Sequence, residues 1–215
     1  MSPLMPPLRG LYAITSAALR ADRARLLAAV AAALRGGAAL IQYRDKIGTP
    51  AQRCASARAL AQLCHEHGAR LIINDDVALA LDCGADGVHL GAADAPLAQA
   101  RQTLGKQAIL GASCGPSLER AAAAVAAGAD YVAFGRFFVS RTKPEAPPAT
   151  LELLRQARAR LQLPICAIGG VTPGNGGALI AAGADMIAAV EGIFSDPDPA
   201  AVEQAARAYS RLFDN

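Results

Sequence analysis

The chain of 215 residues has no tryptophan, and aromatic residues make up only 4% of it. So few rings leave little on which bases could stack, and no run of Lys or Arg supplies a groove for a nucleic-acid backbone. The net charge of +3 is spread over 21 basic and 18 acidic residues, which speaks against nucleic acid as a partner. Long hydrophobic runs are missing too. The longest, residues 26–34 and 121–129, fall well short of the roughly 18 residues a membrane span needs. Residues 1–7 lack the basic and apolar segments of a secretory signal, so a cytoplasmic location is expected. The proline content of the same stretch predicts that residues 1–8 have no fixed structure. The five cysteines (54, 64, 83, 114 and 166) are odd in number and show no C-x-x-C spacing. That argues against a disulfide framework or a zinc site and for buried thiols.

What is present is apolar: 53% of the residues, too much for a disordered chain. The length suits a single domain spanning 1–215. One pattern recurs, a small-residue pair before a short apolar run: Gly37-Ala38, Gly68-Ala69, Gly84-Ala85-Asp86, Gly128-Ala129-Asp130 and Gly183-Ala184-Asp185. Each reads as a helix stopped by a glycine, a turn, and a strand buried on both faces. Eight such apolar runs alternate with seven or eight helical stretches, among them 23–35, 50–67, 118–127, 150–161 and 200–212. Alternation of this kind implies parallel strands with right-handed crossovers. Eight units in this length predict a closed (β/α)₈ TIM barrel. An open doubly wound sheet is the alternative, but the first strand–helix turn lacks the G-x-G-x-x-G of a dinucleotide fold.

In such a barrel the chemistry lies at the C-terminal ends of the strands. The second run is followed by Gln42-Tyr43-Arg44-Asp45-Lys46. Strand alternation puts Gln42, Arg44 and Lys46 on one side, Tyr43 and Asp45 on the other. Two cations and an amide suit an anionic ligand. Asn74-Asp75-Asp76 and Asp94 follow the third and fourth runs; carboxylates without clustered His or Cys favour a hard cation such as Mg²⁺. Asp76 is expected to cap the next helix, and Asp75 and Asp94 could likewise serve as caps. The segment after the sixth run, with Ser140, Arg141, Thr142 and Lys143, suits a phosphate-binding loop. The Gly169-Gly170 pair and Val190-Glu191-Gly192 after the last two runs suit a phosphate held by backbone N–H groups. His65 and His67 are expected to be exposed on a helix, and His89 to be a satisfied core residue. No base is recognisable beside Ser113 or Cys114, so neither is expected to be a nucleophile.

Taken in order, LYAIT, IQYRDK, LIINDD, DGVHLG-x-x-D, ILGASC, FGRFF-x-S-x-TK and AIGGVT resemble the motifs of the thiamine-phosphate synthase family across residues 8–195. The resemblance implies a transferase of thiamine biosynthesis that joins hydroxymethylpyrimidine diphosphate to a thiazole phosphate and releases pyrophosphate. It implies pyrimidine diphosphate contacts at Gln42 through Lys46, Tyr43 and Asp45 included, and at Asn74, Ser113 and Lys143. Of these, Lys143, Arg44 and Ser113 would be catalytic. It further implies one Mg²⁺ per subunit on Asp75 and Asp94, and a thiazole phosphate held by Ser140, Arg141, Thr142, Gly170, Val190 and Glu191. The partners implied are small phosphorylated substrates, with no membrane; the oligomeric state is left open. The chain departs from the family pattern at Ala92, where Gln is frequent, at Arg136 for Pro, at Ser140 for Thr and at Glu191 for Ser. The carboxylate of Glu191 must therefore point away from a phosphate, leaving its backbone to bind. Rival functions on this fold are a thiazole tautomerase, a non-catalytic phosphate-binding regulator and a sugar-phosphate isomerase. The first would place a His where Ser113-Cys114 stands, the second could do without Asp75 and Asp94, and the third needs an acid–base pair that is not found.

Overall fold

A computed structural model describes residues 8–19, 21–139, 147–196 and 198–214. Eight parallel strands close into a barrel in sequence order, β1 (Gly10–Ile14), β2 (Ala38–Tyr43), β3 (Arg70–Asn74), β4 (Gly87–Leu90), β5 (Ile109–Gly115), β6 (Tyr131–Phe134), β7 (Ile165–Ile168) and β8 (Met186–Ala189), with β8 paired to β1. Around them run α1 (Arg23–Arg35), α2 (Pro50–Glu66), α3 (Val77–Cys83), α4 (Leu97–Leu104), α5 (Leu118–Ala126), α6 (Leu151–Arg160), α7 (Pro173–Ala181), α8 (Glu191–Phe194) and α9 (Pro199–Ser210). The expected alternation is therefore present.

Every strand is buried on both faces, and the period of two sorts its side chains into two cores. Tyr12, Leu40, Ile72, Ile109, Tyr131, Cys166 and Met186 fill the barrel interior. Leu11, Ile41, Leu71, Val88, Leu110, Val132 and Ile187 pack outward against the helices. Leu8, where the described residues begin, packs against the interior cluster, because an apolar side chain entering the first strand is better buried there than in water. Residues 1–7 lie outside the described residues. Helix α7 holds three glycines and has little intrinsic propensity. A capping box between Thr172 and Asn175, with Pro173 in the first turn, starts it.

The recurring Asp explains itself at the N-terminal face of the barrel. The Asp86 carboxylate accepts the Leu71 N–H at 2.7 Å while the Asp86 N–H donates to the Leu71 carbonyl. Asp130 does the same with Leu110, and Asp185 with Ile165. A basic residue of the helix preceding each strand pair covers the carboxylate: His65, Arg101 and Arg158 respectively. Arg101 and Arg158 also bond the carbonyls of Gly128 and Gly183, tying helix to turn. Asp130→Ala should lower stability by about 1–3 kcal/mol, because it strips a charge-assisted bond from a strand N–H and leaves Arg101 without its carboxylate. Thermal unfolding checks this, and a midpoint equal to that of the native chain would refute it.

Candidate active site

A cavity of about 450 Å³ opens at the C-terminal ends of the strands. Its wall brings together Gln42, Arg44, Asn74 and Ser113 on one side and Gly170, Val190 and Glu191 on the other. These come from five strand ends, so register and closure assemble the site; no local sequence element does. Gln42 is buried and Arg44 half-buried, each two residues beyond an inward-facing neighbour. The Arg44 N–H donates to the buried Thr15 hydroxyl at 2.9 Å, fixing the strand end that carries the guanidinium. Among the described residues, Arg44 forms no ion pair with a carboxylate.

Tyr43 and Asp45 are not brought to the cavity wall with Gln42 and Arg44. Tyr43 is buried in the helix-facing core. Asp45 accepts the N–H groups of Ile47 and Gly48 at 3.0 Å each, shaping the turn into α2. Both have the odd strand parity, and the pleat turns them away. Ser140, Arg141, Thr142 and Lys143 lie outside the described residues.

Lys46, Asp75 and Asp94 are not in the cavity lining; they cluster with one another beyond the C-terminal ends of β2, β3 and β4. Lys46 Nζ lies 2.9 Å from Asp75 Oδ2. Asp94 accepts the Gly91 N–H at 2.7 Å. Burial pushes the Asp75 carboxyl up, but bonds with Lys46 and Asp94 and the Lys46 charge outweigh it and hold Asp75 below the usual carboxylate range. Burial and then the neighbouring Asp75 raise Asp94, against the pull of the Gly91 N–H. Two carboxylates in contact compete for one proton, and a divalent cation removes that conflict. Asp75 also adopts a left-handed backbone, φ 65°. For an aspartate that is uncommon, and such strain gathers at functional sites. Asp76, by contrast, caps α3 through the Leu79 N–H, as expected, and pairs with Arg53.

The donor set can be tested against Mg²⁺. Among the described residues no group of three or more His, Cys, Asp and Glu forms a complete metal cage. Two hard carboxylates side by side, with no nitrogen or sulfur donor, fit an ion that keeps waters and takes its remaining oxygens from phosphate.

On the far wall, Gly169 and Gly170 both have positive φ, 102° and 65°. A Cβ on Gly170 would lie 2.3 Å from the Val139 carbonyl and 2.8 Å from the Phe138 Cβ. The pair therefore seats the segment after β6, which hydrogen-bonds back through Phe137 to Ile168 and through Phe138 to Gly169. Glu191 and Gly192 open α8; the Ile193 and Phe194 N–H groups bond the Val190 carbonyl, and those of Glu191 and Gly192 have no acceptor within the helix. The Glu191 side chain is exposed.

The floor sets beside Ser113 three residues that the sequence did not mark as site residues, Tyr12, Tyr131 and His89. His89 Nε2 is 2.8 Å from Ser113 Oγ, and His89 Nδ1 is 2.8 Å from the Tyr131 hydroxyl. Ser113 thus does have an imidazole neighbour, contrary to expectation, and His89 is satisfied but stands in the cavity wall. His65 on α2 and His67 at its C-cap are exposed, as expected, bonded to Asp86 and to the Leu63 carbonyl respectively.

A closed parallel barrel with a deep, polar-floored cavity at its C-terminal mouth defines a (β/α)₈-barrel enzyme. The family model for thiamine monophosphate synthase matches residues 11–193. The chain is 53% identical over 207 residues to the thiamine-phosphate synthase of Thioalkalivibrio sulfidiphilus, covering 96% of both. It is 52% identical over 206 residues to that of Alcanivorax borkumensis, covering 96% of this chain and 94% of the relative. The solved structure of thiamine phosphate pyrophosphorylase from Pyrococcus furiosus superposes with a TM-score of 0.85 at 32% identity, over 95% of each chain. The chain belongs to the thiamine monophosphate synthase family and is a transferase of that kind.

Proposed function

We propose that the cavity joins the exocyclic methylene of hydroxymethylpyrimidine diphosphate to the ring nitrogen of a thiazole phosphate, giving thiamine phosphate and pyrophosphate. The observation that carries this reading is the Arg44 guanidinium: a half-buried cation on the cavity wall, with no described carboxylate on it, sharing that wall with Asn74 and Ser113. A half-buried cation left open in this way suits a multiply charged anion.

The bond from methylene carbon to diphosphate oxygen breaks, and the departing diphosphate keeps its electron pair. The thiazole nitrogen lone pair forms the new bond. That nitrogen carries no proton, so no general base is required. The chain therefore has two tasks, to align two anchored substrates and to neutralise the charge that gathers on the leaving group. Gln42 and Asn74 orient the pyrimidine diphosphate. Arg44, Lys46, Ser113 and Lys143 receive its phosphates. Backbone N–H groups at Gly170, Val190 and Glu191 hold the thiazole phosphate at the opposite wall, a role the family resemblance extends to Ser140, Arg141 and Thr142.

Asp75 and Asp94 would hold Mg²⁺. When bound, the ion supplies charge neutralisation at the diphosphate oxygens. Five free cysteines, four of them buried, suit a reducing cytoplasmic setting. Among the described residues, no helix is long and apolar enough to cross a membrane.

The test is pyrophosphate release measured with each substrate alone and with both. Release is expected only with both present, and it should stop on addition of EDTA and return with Mg²⁺. Release without the thiazole phosphate, or undiminished in EDTA, would sink the assignment.

A further inference from the structure

Five polar side chains from five strands touch in sequence across the cavity floor. Gln42 Nε2 donates to the Tyr12 hydroxyl at 2.7 Å, and the Tyr12 and Tyr131 hydroxyls are 2.9 Å apart. Tyr131 is 2.8 Å from His89 Nδ1, and His89 Nε2 is 2.8 Å from Ser113 Oγ. Gln42, Tyr12, Tyr131 and His89 are all buried. The Tyr131 ring stacks on the His89 ring with centroids 5.5 Å apart and meets the Tyr12 ring edge-on at 6.0 Å. Tyr131 reaches this position because its partner in the register is Gly111: a Cβ there would lie 2.1 Å from the Tyr131 Cζ.

We propose that Tyr12, Tyr131 and His89 are positioning residues: a one-way chain of hydrogen bonds from Gln42 that fixes the His89 tautomer and turns the Ser113 hydroxyl hydrogen into the cavity. Donor counting gives the direction. Each phenol owns one hydrogen. Tyr12 accepts from the Gln42 amide, so its own hydrogen passes to the Tyr131 oxygen. The Tyr131 hydrogen then goes to His89 Nδ1, which accepts it and so carries no proton. The imidazole hydrogen therefore sits on Nε2 and is donated to Ser113 Oγ. Ser113 has received a hydrogen bond and keeps its own hydrogen for a ligand oxygen. Burial raises both phenols well above their ordinary range, so each keeps its hydrogen across the working pH.

Two consequences follow for the proposed reaction, on which this inference rests. Ser113 meets the leaving diphosphate as a donor; the reverse direction would present lone pairs to an anion. An Nε2 that already bears a proton also cannot take one from Ser113, so the Ser113–His89 contact is not a nucleophile–base pair.

NMR of the imidazole nitrogens in the intact enzyme tests the chain directly. A protonated Nε2 and a bare Nδ1 at His89 are expected; a proton on Nδ1 overturns the proposal. Kinetics supply the second arm. Tyr131→Phe should lower kcat for pyrophosphate release about tenfold, with KM for the thiazole phosphate unchanged. In a Ser113→Ala background the same change should have no further effect, because the chain acts only through that hydroxyl. An equal loss in both backgrounds would make Tyr131 a merely structural residue and overturn the proposal. Should Tyr131→Phe fail to fold, Tyr12→Phe breaks the chain one link earlier and should give a mixture of His89 tautomers; an unchanged tautomer overturns it. Full activity in Ser113→Ala alone would overturn the diphosphate assignment and the chain with it. A wrong tautomer beside an impaired Ser113→Ala would overturn the chain and leave the reaction standing.

Discussion

Asp75→Asn is expected to lower pyrophosphate release on the order of 10³-fold at fixed Mg²⁺, with a matching rise in the Mg²⁺ needed for half-maximal rate. Asparagine is the informative substitution here. Asp75 sits at φ 65°, and asparagine tolerates that left-handed backbone nearly as well as aspartate. The change keeps an oxygen toward the ion but removes one of two negative charges and leaves Asp94 alone. Thermal stability should move little, because the lost ion pair with Lys46 is 55% exposed on the lysine side and exposed pairs contribute about 0–1 kcal/mol. Alanine would confound the experiment by adding backbone strain to the loss of charge. An Asp75→Asn enzyme with a normal rate and a normal Mg²⁺ requirement would remove Asp75 from the metal site.

Arg44→Ala should lower kcat by about 10²–10³-fold. The backbone that carries the guanidinium is pinned to Thr15 through the Arg44 N–H, so the point from which the charge projects is set before substrate arrives. Pre-set charge of this kind helps most as the diphosphate departs and its negative charge grows. Arg44→Lys should recover only part of the rate, because an ammonium neutralises charge without the planar fork that grips two phosphate oxygens. Single-turnover pyrophosphate release separates this from a binding defect. A loss confined to KM, with kcat intact, would move Arg44 from the chemical step to ground-state binding.

Much of this architecture was legible in the sequence, because each of its signals is local. An apolar run of four to six residues after a glycine needs no long-range contact to be read as a strand. Asp76 could be read as a helix cap from its position before Val77–Cys83, and the Leu79 N–H is on it. The exclusion of Tyr43 and Asp45 from the cavity was also within reach: the alternation that turned Gln42 and Arg44 inward had to turn those two outward.

The floor of the site was not legible in the same way. His89 and Ser113 are 24 positions apart and meet only because β4 and β5 pair with His89 opposite Gly111. Tyr12 and Tyr131, 119 positions apart, meet across the barrel interior. Such contacts depend on register and closure, which composition and periodicity do not specify. Gly111 offered a faint signal, a glycine interrupting an apolar strand, which often marks close approach of a neighbouring group. The repeated Asp was visible as a repeat, but its role depends on basic residues lying about 20 to 30 positions upstream on a helix.

The three aspartate stations divide the barrel lengthwise between heritable scaffold and editable surface. They sit at the N-terminal rim and hold strand pairs β3–β4, β5–β6 and β7–β8 in register through bonds that touch no part of the cavity. Insertions, grafted loops or drift at the opposite mouth leave those fastenings intact. A lineage founded on this chain could exchange one phosphorylated substrate for another by rewriting the segments after β2, β6 and β8, while selection for folding acted on a separate set of codons. Directed evolution toward a new acceptor should therefore confine its libraries to that mouth and leave the Gly-Ala-Asp turns unmutated.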